Sequence, residues 1–245
     1  YLIYIMNLLG GQKNTQLFQY AKYAIEDKNC ELEFVYGGDF KSKMNREDFL
    51  RVLNTLRQKY PLLHEENTLD IIIKDIRTTI TGVENIKKYC KTDSIEDIPL
   101  KNFIKKKRYS NPRFPNVKFY PIIDYDYNYK INLKSEEEID ESYFEVQSLL
   151  MDWKNQLKYF RYKKRYSFLT DDNLFRIDIT VVKHNDYNPR QRSNNLYKSF
   201  VESGILKNKE SYELEIEYVG SVDNKGIFPI DVFKGKLIRE AEEND

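Results

Sequence analysis

The chain has 245 residues, with 40 Lys and Arg against 39 Asp and Glu, a formal net charge of +1. That length builds one sizeable core, and a balance so close to neutral means that attraction to a polyanion must come from local arrangement and not from the global field. Two cysteines, Cys30 and Cys90, make no disulfide framework and suggest buried free thiols in a reducing compartment. No apolar run approaches the roughly 20 residues of a membrane span, and Tyr1 to Leu9 lacks the basic start and cleavage site of a signal peptide. The expectation is a soluble protein of one domain over 1–245. The start at Tyr1 and the charged tail Ile238 to Asp245 suggest a piece cut from a longer chain.

In chain order, Leu17, Phe18, Ala21, Ala24 and Ile25 recur at helical spacing, predicting a helix over 15–27 with Thr15 as N-cap. Glu31 to Tyr36 reads as a strand closed by Gly37-Gly38. Asn45 then caps a helix whose Phe49, Leu53, Leu56 and Tyr60 share an apolar face until Pro61 ends it. Further strands are predicted over Asp70–Ile73, Ile76–Thr81, Phe103–Tyr109, Val117–Tyr120, Tyr127–Leu133, Tyr159–Leu169, Leu174–Lys183 and Tyr212–Val219. Helices are predicted over 84–90, 136–150 and 195–203, the second with Ile139, Tyr143, Val146, Leu149 and Leu150 as its buried stripe. Many strands joined by turns and not by regular crossover helices argue for an antiparallel sheet closed into a barrel or sandwich.

What alternates along those strands is unusual. Successive side chains of a strand point to opposite faces, so Glu31 and Glu33 share a face, as do Glu213, Glu215 and Glu217, Arg161, Lys163, Arg165 and Ser167, and Arg176, Asp178 and Thr180. A solvated face usually mixes Lys with Glu. Here two strands are acidic on the polar face and one is basic, which suggests a polar interior with an acidic floor and a basic wall. Two carboxylates about 5 Å apart repel by about 3 kcal/mol at an effective dielectric of about 20, a cost that a divalent cation relieves. Oxygen ligands in excess select Mg²⁺ or Mn²⁺ over zinc. His64 and His184, the two histidines, lack neighbours at ligand spacing. No P-loop, GxSxG or Cys-His pairing is present, and the chemistry left is metal-assisted phosphoryl transfer to water, with cations clamping the phosphates.

Glu31-Leu-Glu33, Lys163-Lys-Arg165-Tyr-Ser167, Arg176-Ile-Asp178-Ile-Thr180 and Glu213-Leu-Glu215-Ile-Glu217, in that order, resemble the motif series of the triphosphate tunnel metalloenzymes. The nearest likeness is to the RNA 5′-triphosphatase domain of mRNA-capping enzymes from giant DNA viruses, with the fungal capping triphosphatases more distant. The resemblance implies a mainly β (α+β) fold, an eight-stranded antiparallel barrel around a triphosphate tunnel, with peripheral helices. It implies Glu31, Glu33, Glu215 and Glu217 as ligands of Mg²⁺ or Mn²⁺, with Glu213 shaping the acidic floor. It also implies Lys163, Arg165 and Arg176 as phosphate-binding groups, and Asp178 as organiser of the metal-bound water or a basic neighbour. Arg77 and Lys107 are further candidates for the basic wall, although strand parity allows either Lys105 with Lys107 or Lys106 with Arg108 to point inward.

Val35, where members acting on inorganic or thiamine triphosphate usually carry Lys, favours the viral and fungal capping branch. The family's further acidic residue on a middle strand finds no clear counterpart before Glu136. The implied reaction removes the γ-phosphate of triphosphate-ended RNA, the first step of capping, in cytoplasm or virion. No KxDG lysine-nucleophile motif is present, so the guanylyltransferase partner would lie elsewhere in cis or in trans. Hydrolysis of inorganic triphosphate or nucleotides, and noncatalytic RNA binding through Lys105 to Arg108 and the tyrosines, are the alternatives.

Overall fold

The computed structural model describes residues 11–27, 29–36, 43–110, 118–125 and 128–220. Tyr1 to Leu9, Gly37-Gly38, Val117, Tyr127 and the tail Ile238 to Asp245 lie outside them. Eight antiparallel strands close a barrel: β1 (Cys30–Tyr36), β11 (Ser211–Tyr218), β8 (Phe175–His184), β7 (Tyr159–Leu169), β2 (Leu62–Ile73), β3 (Ile76–Thr81), β4 (Lys101–Arg108) and β6 (Tyr129–Ile139), with β6 pairing back to β1. A short β5 (Ile122–Asp124) extends the sheet beside the start of β6, and β9 (Tyr187–Asn188) and β10 (Ser193–Asn194) form a separate hairpin. Closure removes the unpaired edges that an open sheet of this size would expose.

Around the barrel stand α1 (Gly11–Glu26), α2 (Arg46–Lys59), α3 (Val83–Thr92), α4 (Phe144–Met151) and the single-turn α5 (Phe200–Ser203). The hydrophobic cores lie between these helices and the outer face of the strands. Phe49, Leu53 and Leu56 of α2 pack on Tyr166, Phe168, Ile177 and Ile179 of β7 and β8. Leu17, Tyr20 and Ala21 of α1 cover Leu32, Phe34, Ile131 and Leu133. Ile86 and Tyr89 of α3, with Val146 and Leu149 of α4, cover Leu69, Ile71, Ile80 and Phe103. Each fully buried Ile, Leu or Phe contributes about 1.5–3 kcal/mol, so most of the strands' apolar side chains are satisfied outside, and a mainly polar face lines the lumen, with Val35 and Ile72 among its few apolar members.

Local signals fix several boundaries. The Asn45 side chain accepts from Asp48 N at 2.9 Å and starts α2. Gly82, at φ 90°, turns β3 into α3 with a backbone that a side chain would strain. Ser199 and Glu202 form a reciprocal capping box for α5.

Other expectations need correction. Thr15 lies inside α1, which begins at Gly11. β2 starts at Leu62, eight residues before the predicted strand, because Glu65, Glu66 and Asn67 pair with β7 in spite of their low strand propensity. Residues 136–139 continue β6 and are not helical; Ile139 pairs with Phe103 and enters the outer core, and only Phe144–Met151 is helix, with Tyr143 exposed. No regular strand forms over 118–120, where Pro121 precedes the short β5.

Candidate active site

Residues directly opposite each other on paired strands share a face, and the register carries one polar face round the whole barrel. Glu33 of β1 stands opposite Glu217 of β11, and Val35 opposite Glu215. Glu213, Glu215 and Glu217 face Thr180, Asp178 and Arg176 of β8, and Asp178 and Thr180 face Ser167 and Arg165 of β7. Lys163 and Arg161 then face Thr68 and Asp70 of β2, Asp70 and Ile72 face Thr79 and Arg77 of β3, Lys106 and Arg108 of β4 face Glu136 and Lys134 of β6, and Lys134 faces Glu31.

In this lumen cations and carboxylates interlock. Lys163 Nζ lies 2.7 Å from Asp70 Oδ2, both side chains buried, while Thr79 Oγ1 donates to Asp70 Oδ1 at 3.0 Å. Asp178 accepts from Ser167 Oγ at 2.6 Å and from Arg176 Nε at 3.1 Å, and pairs with Arg165 Nη1 at 3.5 Å. Arg176 also pairs with Glu217, and Arg161 Nη2 donates to both oxygens of Glu213 at 2.8 Å. Lys106 Nζ bridges Glu31 at 2.9 Å and Glu136 at 2.6 Å; Arg77 Nη2 donates to Glu136 at 3.0 Å. Glu33 accepts from Asn132 Nδ2 at 3.1 Å and pairs with Lys134.

Crowding these groups out of water displaces their protonation equilibria. Burial pushes Glu217 up to about 7, with Arg176 opposing and Glu31, Asp178 and Glu136 adding repulsion. Burial likewise raises Glu31 against the pull of Lys106. Glu136 is also buried, yet Lys106 and Arg77 hold it well below the usual carboxylate range. Burial would raise Asp70 too, but Lys163, Arg77 and Arg161 outweigh it and keep the carboxyl low. Burial lowers Lys163, with Arg165 and Arg161 adding to the effect against Asp70. Like charges have therefore been gathered here at a cost that a bound polyanion with its counter-cation would relieve.

Of the residues singled out in the sequence, Glu31, Glu33, Arg77, Lys163, Arg165, Arg176, Asp178, Glu215 and Glu217 all occupy this inward face. Lys107 does not. Phe103 is buried in the outer core, so Lys105 and Lys107 share its outward side, Lys107 exposed and Lys105 paired to Glu145 at 2.6 Å, and the alternation turns Lys106 and Arg108 inward. Sequence reasoning passed over Asp70, gave no role to Lys134, Glu136 or to Arg161 on the polar face, and left Lys106 with Arg108 as one of two parity alternatives; alternation with Phe103 and Ile139 as outward markers decides for Lys106 and Glu136. Asp70 lies at the head of a run of isoleucines, where nothing but the register of β2 reveals an inward carboxylate.

Among the described residues no three Asp, Glu, His or Cys side chains stand close enough to hold a metal ion as they are. The donor set still suits a hard cation: Glu31, Glu33 and Glu217 each have a Lys or Arg partner, whose place a cation could take, and Glu215 makes no ion pair or hydrogen bond with a described residue. On the basic side, Arg77 Nε and Arg165 Nε are buried without hydrogen-bond partners among the described residues, donors available to phosphate oxygens.

The fold is similar to that of the triphosphatase of the Mimivirus capping enzyme. A triclinic crystal structure of that protein at 1.65 Å gives a TM-score of 0.62 at 18% identity, covering 96% of this chain and 97% of the other. The crystal structure of the RNA triphosphatase domain of a trifunctional mimivirus mRNA capping enzyme gives 0.61 at 18% identity, covering 94% and 96%. A monoclinic form of the Mimivirus triphosphatase gives 0.61 at 16% identity, covering 96% and 97%. The sequence matches no family model and no curated protein. At these identities the likeness is one of fold: the chain has the tunnel barrel of these triphosphatase domains over nearly its whole length.

Proposed function

We propose that residues 1–245 form a triphosphatase domain that removes the γ-phosphate of triphosphate-ended RNA to leave a diphosphate end, the first step of cap formation. The observation that carries this reading is the closed lumen in which Lys163, Arg165 and Arg176, on the two strands next to β11, share the inward face with Glu31, Glu33, Glu215 and Glu217. The apolar cores lie outside the barrel, so packing alone does not require a charged interior this dense. The fold shared with the viral capping triphosphatase supports the choice of an RNA end as substrate, and a guanylyltransferase acting next, in cis or in trans, would follow from it.

Glu31, Glu33, Glu215 and Glu217 would hold Mg²⁺ or Mn²⁺, which when bound supplies charge neutralisation at the phosphoryl group undergoing transfer. The protein's own groups do the rest. Lys163, Arg165, Arg176 and Arg77 bind and orient the phosphate oxygens, the arginines by paired N–H donors in a fixed plane. Asp178, anchored by Ser167 and two arginines, keeps Arg165 and Arg176 apart and aligned. Asp70 does the same for Lys163. Attack is by water in line with the leaving diphosphate, without a covalent enzyme intermediate, and the closed walls limit access to the tunnel ends.

The test is release of γ-phosphate from triphosphate-ended RNA with Mg²⁺ or Mn²⁺, beside inorganic triphosphate and the Glu31→Ala and Glu215→Ala variants. Metal-dependent turnover of RNA, abolished in both variants, is the expected result. Turnover of inorganic triphosphate alone would move the protein to the small-substrate class, and turnover of neither would leave a binding barrel.

A further inference from the structure

One mouth of the barrel carries a cluster of exposed cations without acidic partners among the described residues. At this mouth β2 turns into β3 through Lys74 and Asp75, β8 runs on into the β9–β10 hairpin, and residues 205–210 lead into β11. The register puts these together, since Ile72 pairs with Tyr159, Arg161 with His184, and Ser211 with Val182. Lys74, Arg190, Arg192, Lys207 and Lys209 are exposed here, and none makes an ion pair with a described residue. The acids of this mouth already have partners: Asp75 pairs with Lys105, Glu210 with Lys183, Asp186 accepts from Tyr197 and Asn195, and Glu202 closes the cap of α5. The opposite mouth carries Asp171 and Asp172 in the β7–β8 turn, Asp140 after β6, and Glu141 paired with Lys101 at 3.3 Å.

The basic rim has a fixed base. Asn185, fully buried, accepts from Phe160 N at 3.1 Å and donates to Lys158 O at 3.1 Å and Asn195 O at 2.7 Å. Lys158, also fully buried, donates to Gln156 O at 3.1 Å and Lys198 O at 2.6 Å, so the hairpin is held at both of its roots. Tyr187, 58% exposed, stands on the hairpin between those roots and the arginines. Cations that track a backbone beside an exposed aromatic ring are the elements of a single-strand binding groove.

We propose that this mouth is where the RNA chain behind the 5′ end lies, its phosphates on Arg190, Arg192, Lys207 and Lys209 and a base against Tyr187. The proposal rests on the triphosphatase reading for its ligand, and its test is separable from it. Binding of a short single-stranded RNA with a 5′-hydroxyl, which offers nothing to hydrolyse, is measured against salt concentration. The proteins compared are the wild type, the Arg190→Ala/Arg192→Ala/Lys207→Ala/Lys209→Ala variant, and a Lys87→Ala/Lys91→Ala control on the outer face of α3.

Each RNA phosphate that the protein no longer neutralises lowers the log–log salt slope by about 0.7. The quadruple variant should therefore bind at least about tenfold more weakly at physiological salt, with a slope lower by up to about 3, and the control should match the wild type. The two double variants, Arg190→Ala/Arg192→Ala and Lys207→Ala/Lys209→Ala, should each show part of that weakening, which keeps the test open if the quadruple variant folds poorly. Wild-type affinity and slope in the variants would overturn the proposal and leave a rim suited to a protein partner, as would an equal weakening in the control. Rim-dependent RNA binding without phosphate release would sustain the rim while removing the triphosphatase reading.

Discussion

Replacing Asp70 by Asn should separate the stability of the barrel from its appetite for phosphate. Asp70 is fully buried, 2.7 Å from Lys163 Nζ, and bears on Arg77 and Arg161. Asn keeps the shape and the hydrogen bond from Thr79 but leaves Lys163 buried without its counter-charge. Losing one partner of a buried pair costs about 3–5 kcal/mol. At about 2–4 °C per kcal/mol for a chain of this size, Tm should fall by roughly 10 °C. A phosphate oxygen can supply the missing charge, so inorganic triphosphate without metal should raise the variant's Tm by more than the wild type's. For the wild type, a ligand at 100 times its Kd adds about 2.7 kcal/mol.

The pH dependence carries a second signature. Because the folded state holds the Asp70 carboxyl low, its contribution is present above the ordinary aspartate range and is lost as pH falls through the folded value. The wild type should lose this stability in acid, and the variant should lack that limb. Differential scanning fluorimetry across pH, with and without triphosphate, reads all three effects. A variant with wild-type Tm and an equal response to triphosphate would refute the claim that Asp70 holds Lys163 in place of substrate.

Lys106→Ala, which unties Glu31 from Glu136, should lower phosphate release at least about tenfold, as removal of groups that orient ligands does, whereas Lys107→Ala on the outer face should leave the rate within about twofold. Glu217, pushed up to about 7, should disfavour folding as pH rises: its contribution is fully present below the unfolded glutamate value and lost through the folded one. Without divalent metal, the wild type should therefore lose stability relative to Glu217→Gln between mildly acidic pH and pH 8, and Mn²⁺ should restore it in the wild type alone; parallel Tm profiles would contradict this. Arg165→Lys should cut kcat/KM by about 10²-fold or more in a steady-state phosphate assay, since an ammonium lacks the planar pair of donors. Asn185→Ala leaves Phe160 N and Asn195 O without their partner, while Lys158 O keeps Tyr197 N, and should cost about 2–3 kcal/mol in urea titration.

Much of the barrel could be read from alternation, because β7, β8 and β11 set a mainly apolar face against a mainly polar or charged one, with Lys164 and Lys183 as exceptions on the outer side. The same rule exposed Glu31, Glu33, Lys163, Arg165, Asp178, Glu215 and Glu217 as residues of one polar side. It failed where the run of like residues hides the phase. Lys105 to Arg108 offers four cations in a row, and only the burial of Phe103 decides which two turn inward. The run Glu136, Glu137 and Glu138 looks like the acidic head of a helix, and only pairing with Lys106 and with the rest of β4 makes it strand. His64 to Asn67 of β2 are polar on both faces, and β7 supplies the order that their own sequence lacks. Asp70 escaped for a different reason: its partner Lys163 is distant in sequence, and an aspartate beside isoleucines looks like a strand boundary.

The closed ladder makes reading frame the quantity that this architecture most depends on. A single residue added to or removed from the middle of β11 would exchange Glu215 and Glu217 for Leu214 and Ile216 across the wall, putting carboxylates against the apolar side chains of α2 and methyl groups into the tunnel. A two-residue change at the same point preserves the phase. Such a barrel can drift far in side-chain identity, or lengthen its strands by pairs, while single insertions are confined to the turns.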